Sequence, residues 1–127
     1  MIRNSKKESL KNKDNEVYIL GNPPYLGSKE QNTSQKTDLA TVFNNWGKYK
    51  KLDYISCWFK LAIDFITSHN YCHSAFVSTN SITMGEQVSL LWPYLFENGQ
   101  EIFFDHRSFK WENNAKNKAG VTVVIIG

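Results

Sequence analysis

Two adjacent prolines, Pro23 and Pro24, follow the short apolar run Val17–Leu20 near the start of the chain. Proline fixes φ and has no backbone N–H, so the pair can continue neither a helix nor a central strand. The apolar run therefore predicts a buried strand that ends at Gly21-Asn22. Such a chain must hold a rigid turn at the carboxyl end of a strand, where open α/β sheets bind their ligands.

Strand-like and helix-like patterns alternate after this turn. Asp53 can cap an amphipathic helix that runs to about Ser68, and Thr83–Glu86 fits a capping box that begins a second helix, with Gly99 at its carboxyl end. Further strands are predicted at residues 74–80, 101–105 and 121–126, and polar connections at 26–52, with a short helix near 39–46, and at 108–120. This alternation predicts an α/β fold with a mainly parallel sheet and helices on its faces.

The composition fits one small domain. The 127 residues are 41% hydrophobic and 14% aromatic, enough to build a core. Residues 1–16 are polar and rich in lysine, and we expect them to form a leader or linker ahead of a folded domain over residues 17–127. The sequence has no apolar run long enough for a transmembrane helix and no secretory signal, so a cytoplasmic location is expected. The two cysteines lack metal or redox spacing, which fits a reducing compartment.

Basic residues are concentrated in the first part of the chain. Residues 1–52 hold ten Lys and Arg against five Asp and Glu, whereas residues 53–127 hold five against seven. A basic surface around the proline turn would suit a polyanionic partner such as DNA. The candidate DNA-contacting residues are Lys29, Arg107, Lys110 and Trp111, the last three because they combine positive charge with an aromatic ring. The His69–His73 segment lacks supporting ligands, so no metal site is expected.

The turn Asn22-Pro23-Pro24-Tyr25 (the NPPY motif) presents hydrogen-bond acceptors beside an aromatic ring. The Asn22 amide oxygen and the Pro23 carbonyl are acceptors on a rigid chain, and Tyr25 adds a flat face. The amino nitrogen of adenine is a poor nucleophile because its lone pair is delocalised into the ring. Two fixed acceptors can bind its two N–H groups and localise that lone pair, so that the nitrogen can attack an electrophilic methyl group. A base in a duplex would have to flip out to reach this pocket, where Tyr25 would stack on it.

With this motif, the chain resembles the gamma-type N6-adenine DNA methyltransferases, which carry (D/N/S)PP(Y/F) after the fourth strand of a Rossmann-like sheet. The stretches GNPPYLGSKEQ, FVSTNSITMGEQVSLLWPYLFENG and HRSFKWENNAKNKAGVTVVIIG are similar to the large bacterial type IIG and IIL enzymes, which combine methylation with restriction. The resemblance covers roughly residues 17–127. It implies a partial Rossmann-like methyltransferase fold that corresponds to the carboxyl-terminal half of the sheet.

The resemblance implies S-adenosylmethionine as methyl donor and a DNA adenine as acceptor. It assigns the amino-group contacts to Asn22 and Pro23 and base stacking to Tyr25, and it makes Trp58 the candidate aromatic residue beside the cofactor. The family's glycine-rich cofactor motif and its target-recognition domain are absent from this sequence. We therefore expect an inactive fragment that works with the remainder of a parent enzyme. The edge of its first strand is available for pairing with another chain.

Two other interpretations stay open. NPPY motifs also serve methyltransferases that modify glutamine amides in proteins or adenines in RNA, because the amide and the adenine amino group pose the same lone-pair problem. The second alternative is a non-catalytic fragment that binds nucleic acid. The basic stretch 26–52 and the similarity in STNSITMGEQ favour the DNA-modifying enzyme.

Overall fold

A computed structural model describes residues 15–111 and 120–127 of the chain. In this part, helices and strands occur in the order β1 Val17–Gly21, α1 Thr33–Val42, α2 Ser56–Thr67, β2 Cys72–Thr79, α3 Gly85–Phe96, β3 Asp105–Trp111 and β4 Val121–Ile126. Short 3-10 turns lie at Tyr49–Lys51 and Asn80–Thr83. The expected leader, residues 1–16, lies outside the described residues except for its last two positions. None of the helices described is long and apolar enough to cross a membrane.

The four strands form one mixed sheet in the order β1-β2-β4-β3. β1 pairs in parallel with β2, with Val17 opposite Cys72 and Gly21 opposite Phe76. β4 pairs antiparallel with both β2 and β3. β1, β2 and β3 therefore run in one direction and β4 runs in the other. The prediction of a mainly parallel sheet is right in that three of these four strands run in the same direction. It is wrong for the pairing of β2 with β3, because the antiparallel strand β4 lies between them.

The core lies between one face of this sheet and helices α2 and α3. Phe59 of α2 meets Phe76 of β2 edge-on at 5.2 Å between ring centroids, and it meets Trp92 of α3 at 5.5 Å. Side chains alternate between the two faces along a strand. Tyr18 and Leu20 of β1 point to the opposite face, where they are 59% and 72% exposed. At β1, the sheet therefore has one buried face and one open face.

Two helix starts differ from the predicted ones. α3 begins at Gly85, and the hydroxyl of Thr83 donates to the Asn80 carbonyl at 2.8 Å instead of capping the helix. The predicted capping box is therefore wrong, because the 3-10 turn before α3 uses the threonine. α2 begins at Ser56, and its N-cap residue Ile55 has no side-chain cap. Asp53 caps the turn just before α2 instead, where its Oδ1 accepts the Ile55 N–H at 3.1 Å.

The first helix lies earlier in the chain than predicted. α1 covers Thr33–Val42 instead of residues near 39–46. Its start is fixed by a reciprocal capping box, in which Asn32 Oδ1 accepts the Gln35 N–H at 2.9 Å and Gln35 Oε1 accepts the Asn32 N–H at 3.0 Å. The predicted role of Gly99 is close to the observed one. Its φ is +75°, and its N–H donates to the Phe96 carbonyl just after α3.

The third strand is displaced from its predicted position. The segment 101–104 (EIFF) forms no strand, and the N–H groups of Phe103 and Phe104 both donate to the Gly127 carbonyl, at 2.7 and 3.0 Å. β3 instead covers Asp105–Trp111, much of which the pattern assigns to a polar connection. Its register with β4 shifts between His106 and Phe109. β3 forms because β4 offers it a hydrogen-bonding edge, and such long-range pairing outweighs local strand propensity.

Candidate functional site

The NPPY motif lies at the carboxyl end of β1, as the sequence pattern predicts. Asn22 and Pro24 are exposed, Pro23 is buried, and Tyr25 is half-buried against the core. Within residues 15–111 and 120–127, neither the Asn22 side chain nor the Pro23 carbonyl takes part in a hydrogen bond. The exposed Asn22 side chain can therefore receive an N–H group from a ligand, and the Pro23 carbonyl follows directly after it in the chain.

A cavity of about 450 Å³ lies beside Asn22 and Pro23, between β1 and α2. Asn22 supplies the polar side chain of its lining. The other lining residues are apolar or glycine: Ile19, Leu20, Gly21, Pro23, Trp58, Leu61, Ala62, Phe65 and Phe76. An apolar cavity of this size with one placed amide suits a flat heteroaromatic group.

Trp58 on α2 forms part of the wall of this cavity and is half-buried. Its ring meets the Tyr54 ring edge-on, with 5.1 Å between centroids and an interplanar angle of 84°. The Tyr54 hydroxyl donates to Asp38 Oδ2 at 2.7 Å, and this bond is the main reason that the pKa of Tyr54 rises to about 12. The hydroxyl therefore stays protonated and bonded to α1. Through Tyr54, α1 helps to orient the Trp58 ring.

Two residues beside the motif have contacts that local patterns do not reveal. The pattern assigns Asp53 only to helix capping and assigns Gln31 no role. In the structure, Asp53 accepts the backbone N–H of Leu26, and Gln31 donates to the Leu26 carbonyl. Leu26 directly follows the NPPY motif. An aspartate before an amphipathic helix gives no sign of a partner 27 residues away.

The four predicted DNA-contacting residues do not form one cluster. Lys29 is exposed in the turn that follows the NPPY motif, whereas Arg107, Lys110 and Trp111 are exposed on β3. Two strands separate β3 from β1, which corresponds to about 14 Å at roughly 4.8 Å per strand. Because β3 runs in the same direction as β1, Lys110 and Trp111, near the carboxyl end of β3, lie at the same end of the sheet as the motif.

Two further lysines lie near the loop after the motif. Lys36 and Lys50 line a second cavity of about 390 Å³ together with Ser28, Gln31, Leu39 and Tyr49. A count of charges predicts a basic excess in this region, but it does not show which lysines line the same cavity. The fold brings these two to the same cavity as Ser28.

The two thiols are held in their protonated form, and the described part of the chain has no cluster of potential metal ligands. Burial raises the pKa of Cys57 to about 12, and burial also raises the pKa of Cys72. A thiol that stays protonated is a poor nucleophile and a poor metal ligand. Among residues 15–111 and 120–127, no group of three or more His, Cys, Asp or Glu side chains is placed to hold a metal ion.

Comparison with known proteins connects this geometry to a family. The model of the MmeI DNA-methyltransferase domain matches residues 2–127. The chain belongs to this family. DNA methyltransferase A of Bacillus subtilis (strain 168) is 54% identical over 112 residues, which are 88% of this chain and 13% of that protein. The type IIL restriction-modification enzyme MmeI, solved in complex with DNA, matches with a TM-score of 0.81 and 48% identity over 87% of this chain and 15% of that chain.

Membership of the MmeI methyltransferase family confirms the predicted resemblance to the methyltransferase region of type IIL restriction-modification enzymes. The α/β architecture, a sheet with helices packed on it, is confirmed as well. The chain spans only 13% and 15% of the lengths of these two relatives.

Proposed function

We propose that the protein containing this chain transfers a methyl group from S-adenosylmethionine to N6 of an adenine in DNA, as part of a restriction-modification enzyme. The main support is the placement of two acceptors, Asn22 and Pro23, at the end of β1 beside an apolar cavity that Trp58 lines. The family match supports DNA as the substrate class. A Rossmann-like sheet belongs to the same proposal. The strand order supports this fold, because the antiparallel strand β4 lies between β2 and β3, which run in the same direction as β1.

In this proposal, the NPPY motif prepares the amino nitrogen for attack. Asn22 Oδ1 and the Pro23 carbonyl accept its two hydrogens, which draws the nitrogen toward tetrahedral geometry and localises its lone pair. Pro24 keeps the preceding residue extended, so the Pro23 carbonyl holds its direction. Tyr25 stacks on the flipped base, and such stacking contributes about 1–3 kcal/mol per base. The rate gain comes from positioning and electrostatics.

The cavity beside Asn22 fits the heteroaromatic end of S-adenosylmethionine, since its lining is apolar and includes the Trp58 ring. The bound cofactor supplies an electrophilic methyl group. Within this chain, Trp58 would hold the cofactor's ring against the apolar lining of the cavity.

DNA binding is proposed for the exposed residues Lys29, Arg107, Lys110 and Trp111. The MmeI structure was solved with DNA, which supports this partner. The remainder of the protein is the proposed partner of the open β1 edge, and a second copy of this chain is the alternative. We propose the bacterial cytoplasm as the location, because the DNA substrate lies there.

The full-length protein, S-adenosylmethionine with a labelled methyl group, and DNA, RNA or protein substrates together test the proposal. After digestion, mass spectrometry should find the label in N6-methyladenine from DNA. Label in RNA adenine or in protein glutamine, but not in DNA, would replace DNA with that substrate. Binding of DNA without any methyl transfer would support the non-catalytic alternative.

A further inference from the structure

The residue that follows the NPPY motif, Leu26, is held by a buried carboxylate. Asp53 is 6% exposed, and its Oδ1 accepts the N–H of Leu26 at 3.0 Å and the N–H of Ile55 at 3.1 Å. The bond to Ile55 serves the start of α2, whereas the bond to Leu26 joins residues 27 positions apart. One oxygen therefore connects the chain that leaves the motif to the helix that carries Trp58.

The carbonyl of Leu26 is also fixed. Gln31 is 5% exposed, and its Nε2 donates to the Leu26 carbonyl at 2.9 Å and to the Leu52 carbonyl at 3.0 Å. The Tyr54 N–H donates to the same Leu26 carbonyl at 3.0 Å. Because the Asp53 and Gln31 side chains are buried, water competes little with these bonds, which are stronger in a low-dielectric environment.

A third side chain, Gln87 of α3, fixes the segment that carries Asp53. Its Oε1 accepts the Asp53 N–H at 3.0 Å, and its Nε2 donates to the Lys51 carbonyl at 2.8 Å. The network therefore runs from Leu26 through the segment before α2 to α3. Contacts with α3 and with the segment before α2, and not the polar loop alone, therefore fix the position of the chain just after the NPPY motif.

We propose that Asp53 and Gln31 are positioning residues for methyl transfer, an inference that rests on the proposed function above. Neither acts on the reacting groups directly, because both act through the backbone of Leu26. The two prolines between Asn22 and Leu26 have fixed φ angles and absorb little displacement. A shift of Leu26 therefore moves Asn22 relative to the bound base. Misplacement by about 1 Å can lower a rate about 100-fold.

Variants of the full-length protein test this inference. Asp53→Ala removes the shared acceptor, whereas Asp53→Asn keeps an oxygen in the same place without the charge. The matched control is Asn32→Ala, which removes the capping bond to Gln35 (2.9 Å) in the same loop but has no bond to Leu26. For each variant we would measure the single-turnover rate of methyl transfer and, separately, the Kd values for DNA and for S-adenosylmethionine. All rates are compared at a temperature at which circular dichroism shows the variants folded.

Positioning predicts a selective loss of rate. Asp53→Ala should slow single-turnover transfer about 100-fold, with both Kd values within about threefold of wild type. Asp53→Asn should recover most of that loss, because a neutral acceptor keeps roughly half the strength of a charged one. Asn32→Ala should stay within about threefold of the wild-type rate, as expected for a change at the surface. A wild-type rate in folded Asp53→Ala, with only a lower Tm, would overturn the inference in favour of a purely structural helix cap.

A second variant covers the case in which Asp53→Ala does not fold, and two other measurements test the proposed function separately. If Asp53→Ala does not fold, Gln31→Met takes its place with the same selective loss of rate expected, and a wild-type rate in folded Gln31→Met would overturn the inference. Gln31→Met removes both donated bonds while nearly keeping the side-chain volume. Failure of the proposed function itself would appear separately, as absence of methyl transfer by the wild-type protein. A normal rate in Asn22→Ala would count against the amino-group assignment.

Discussion

Replacing Trp58 with alanine in the full-length protein should weaken the binding of S-adenosylmethionine. The Trp58 ring forms part of the wall of the cavity of about 450 Å³ beside Asn22, and its edge-on contact with Tyr54, at 5.1 Å, orients it. Stacking of an aromatic side chain on a base contributes about 1–3 kcal/mol. Since about 1.4 kcal/mol corresponds to a tenfold change in affinity, Kd should rise about 5- to 150-fold. Isothermal titration calorimetry measures this change directly.

Trp46→Ala is the matched control for that measurement. Trp46 is also half-buried and packs against Tyr94 at 4.7 Å between ring centroids, but it does not line the cavity beside Asn22. We expect a wild-type Kd for Trp46→Ala and a nearly wild-type Kd for Trp58→Phe, which keeps an aromatic ring. An unchanged Kd in Trp58→Ala, or an equal loss in both alanine variants, would refute the assignment of Trp58 to the cofactor.

Three other predictions concern stacking, DNA binding and alkaline stability. Tyr25→Ala should slow methyl transfer about 5- to 150-fold at saturating cofactor while Tyr25→Phe does not, because the ring supplies the stacking; equal rates in a single-turnover assay would contradict this. Arg107→Ala or Lys110→Ala should each reduce the slope of log K for DNA binding against log salt concentration by about 0.9 if the residue binds one phosphate. Fluorescence anisotropy with a labelled duplex measures this slope, and an unchanged slope would contradict the phosphate contact. Burial raises the pKa of Cys57 from 9.0 to about 12, and a hydrogen bond to a carboxylate raises that of Tyr54 from 10.0 to about 12. Between pH 9 and 12 the unfolded state therefore loses protons that the folded state keeps, so the free energy of unfolding should fall as the pH rises. Denaturation followed by circular dichroism measures this fall, which should be smaller in Cys57→Ala. The same dependence on pH in Cys57→Ala and wild type would count against the raised thiol pKa.

Local sequence pattern predicts the parts of this fold that local interactions determine. The strand that ends at the prolines, the amphipathic helix α2 and the apolar strand β4 all appear close to their predicted positions. The position of the candidate site follows from the same information, since the Asn22–Tyr25 turn must lie at the carboxyl end of β1. Trp58 lies in the wall of the cavity beside this turn, and its place beside the cofactor stays a prediction.

Long-range pairing accounts for the parts that sequence pattern does not predict. The apolar pair Phe103 and Phe104 looks like a strand, yet their N–H groups donate to Gly127, and the polar segment after them pairs with β4 instead. The order of β4 and β3 in the sheet is likewise a property of the whole fold. The contact between Asp53 and Leu26 is of the same kind, because it depends on where the loop returns after α1.

The proposed role of the NPPY motif is tested most directly by the single-turnover rate of adenine methylation in the Asn22→Ala variant of the full-length protein, with nucleosides identified by mass spectrometry. Asn22 is exposed at the end of β1, and within the described residues its side chain has no hydrogen-bond partner. The substitution should therefore leave the fold and the Kd for DNA unchanged. We expect the rate to fall by about 100-fold or more, as when one preorganised polar group is removed from an active site. A wild-type rate of N6-methyladenine formation would contradict the assignment of the NPPY motif as the site that holds the adenine amino group.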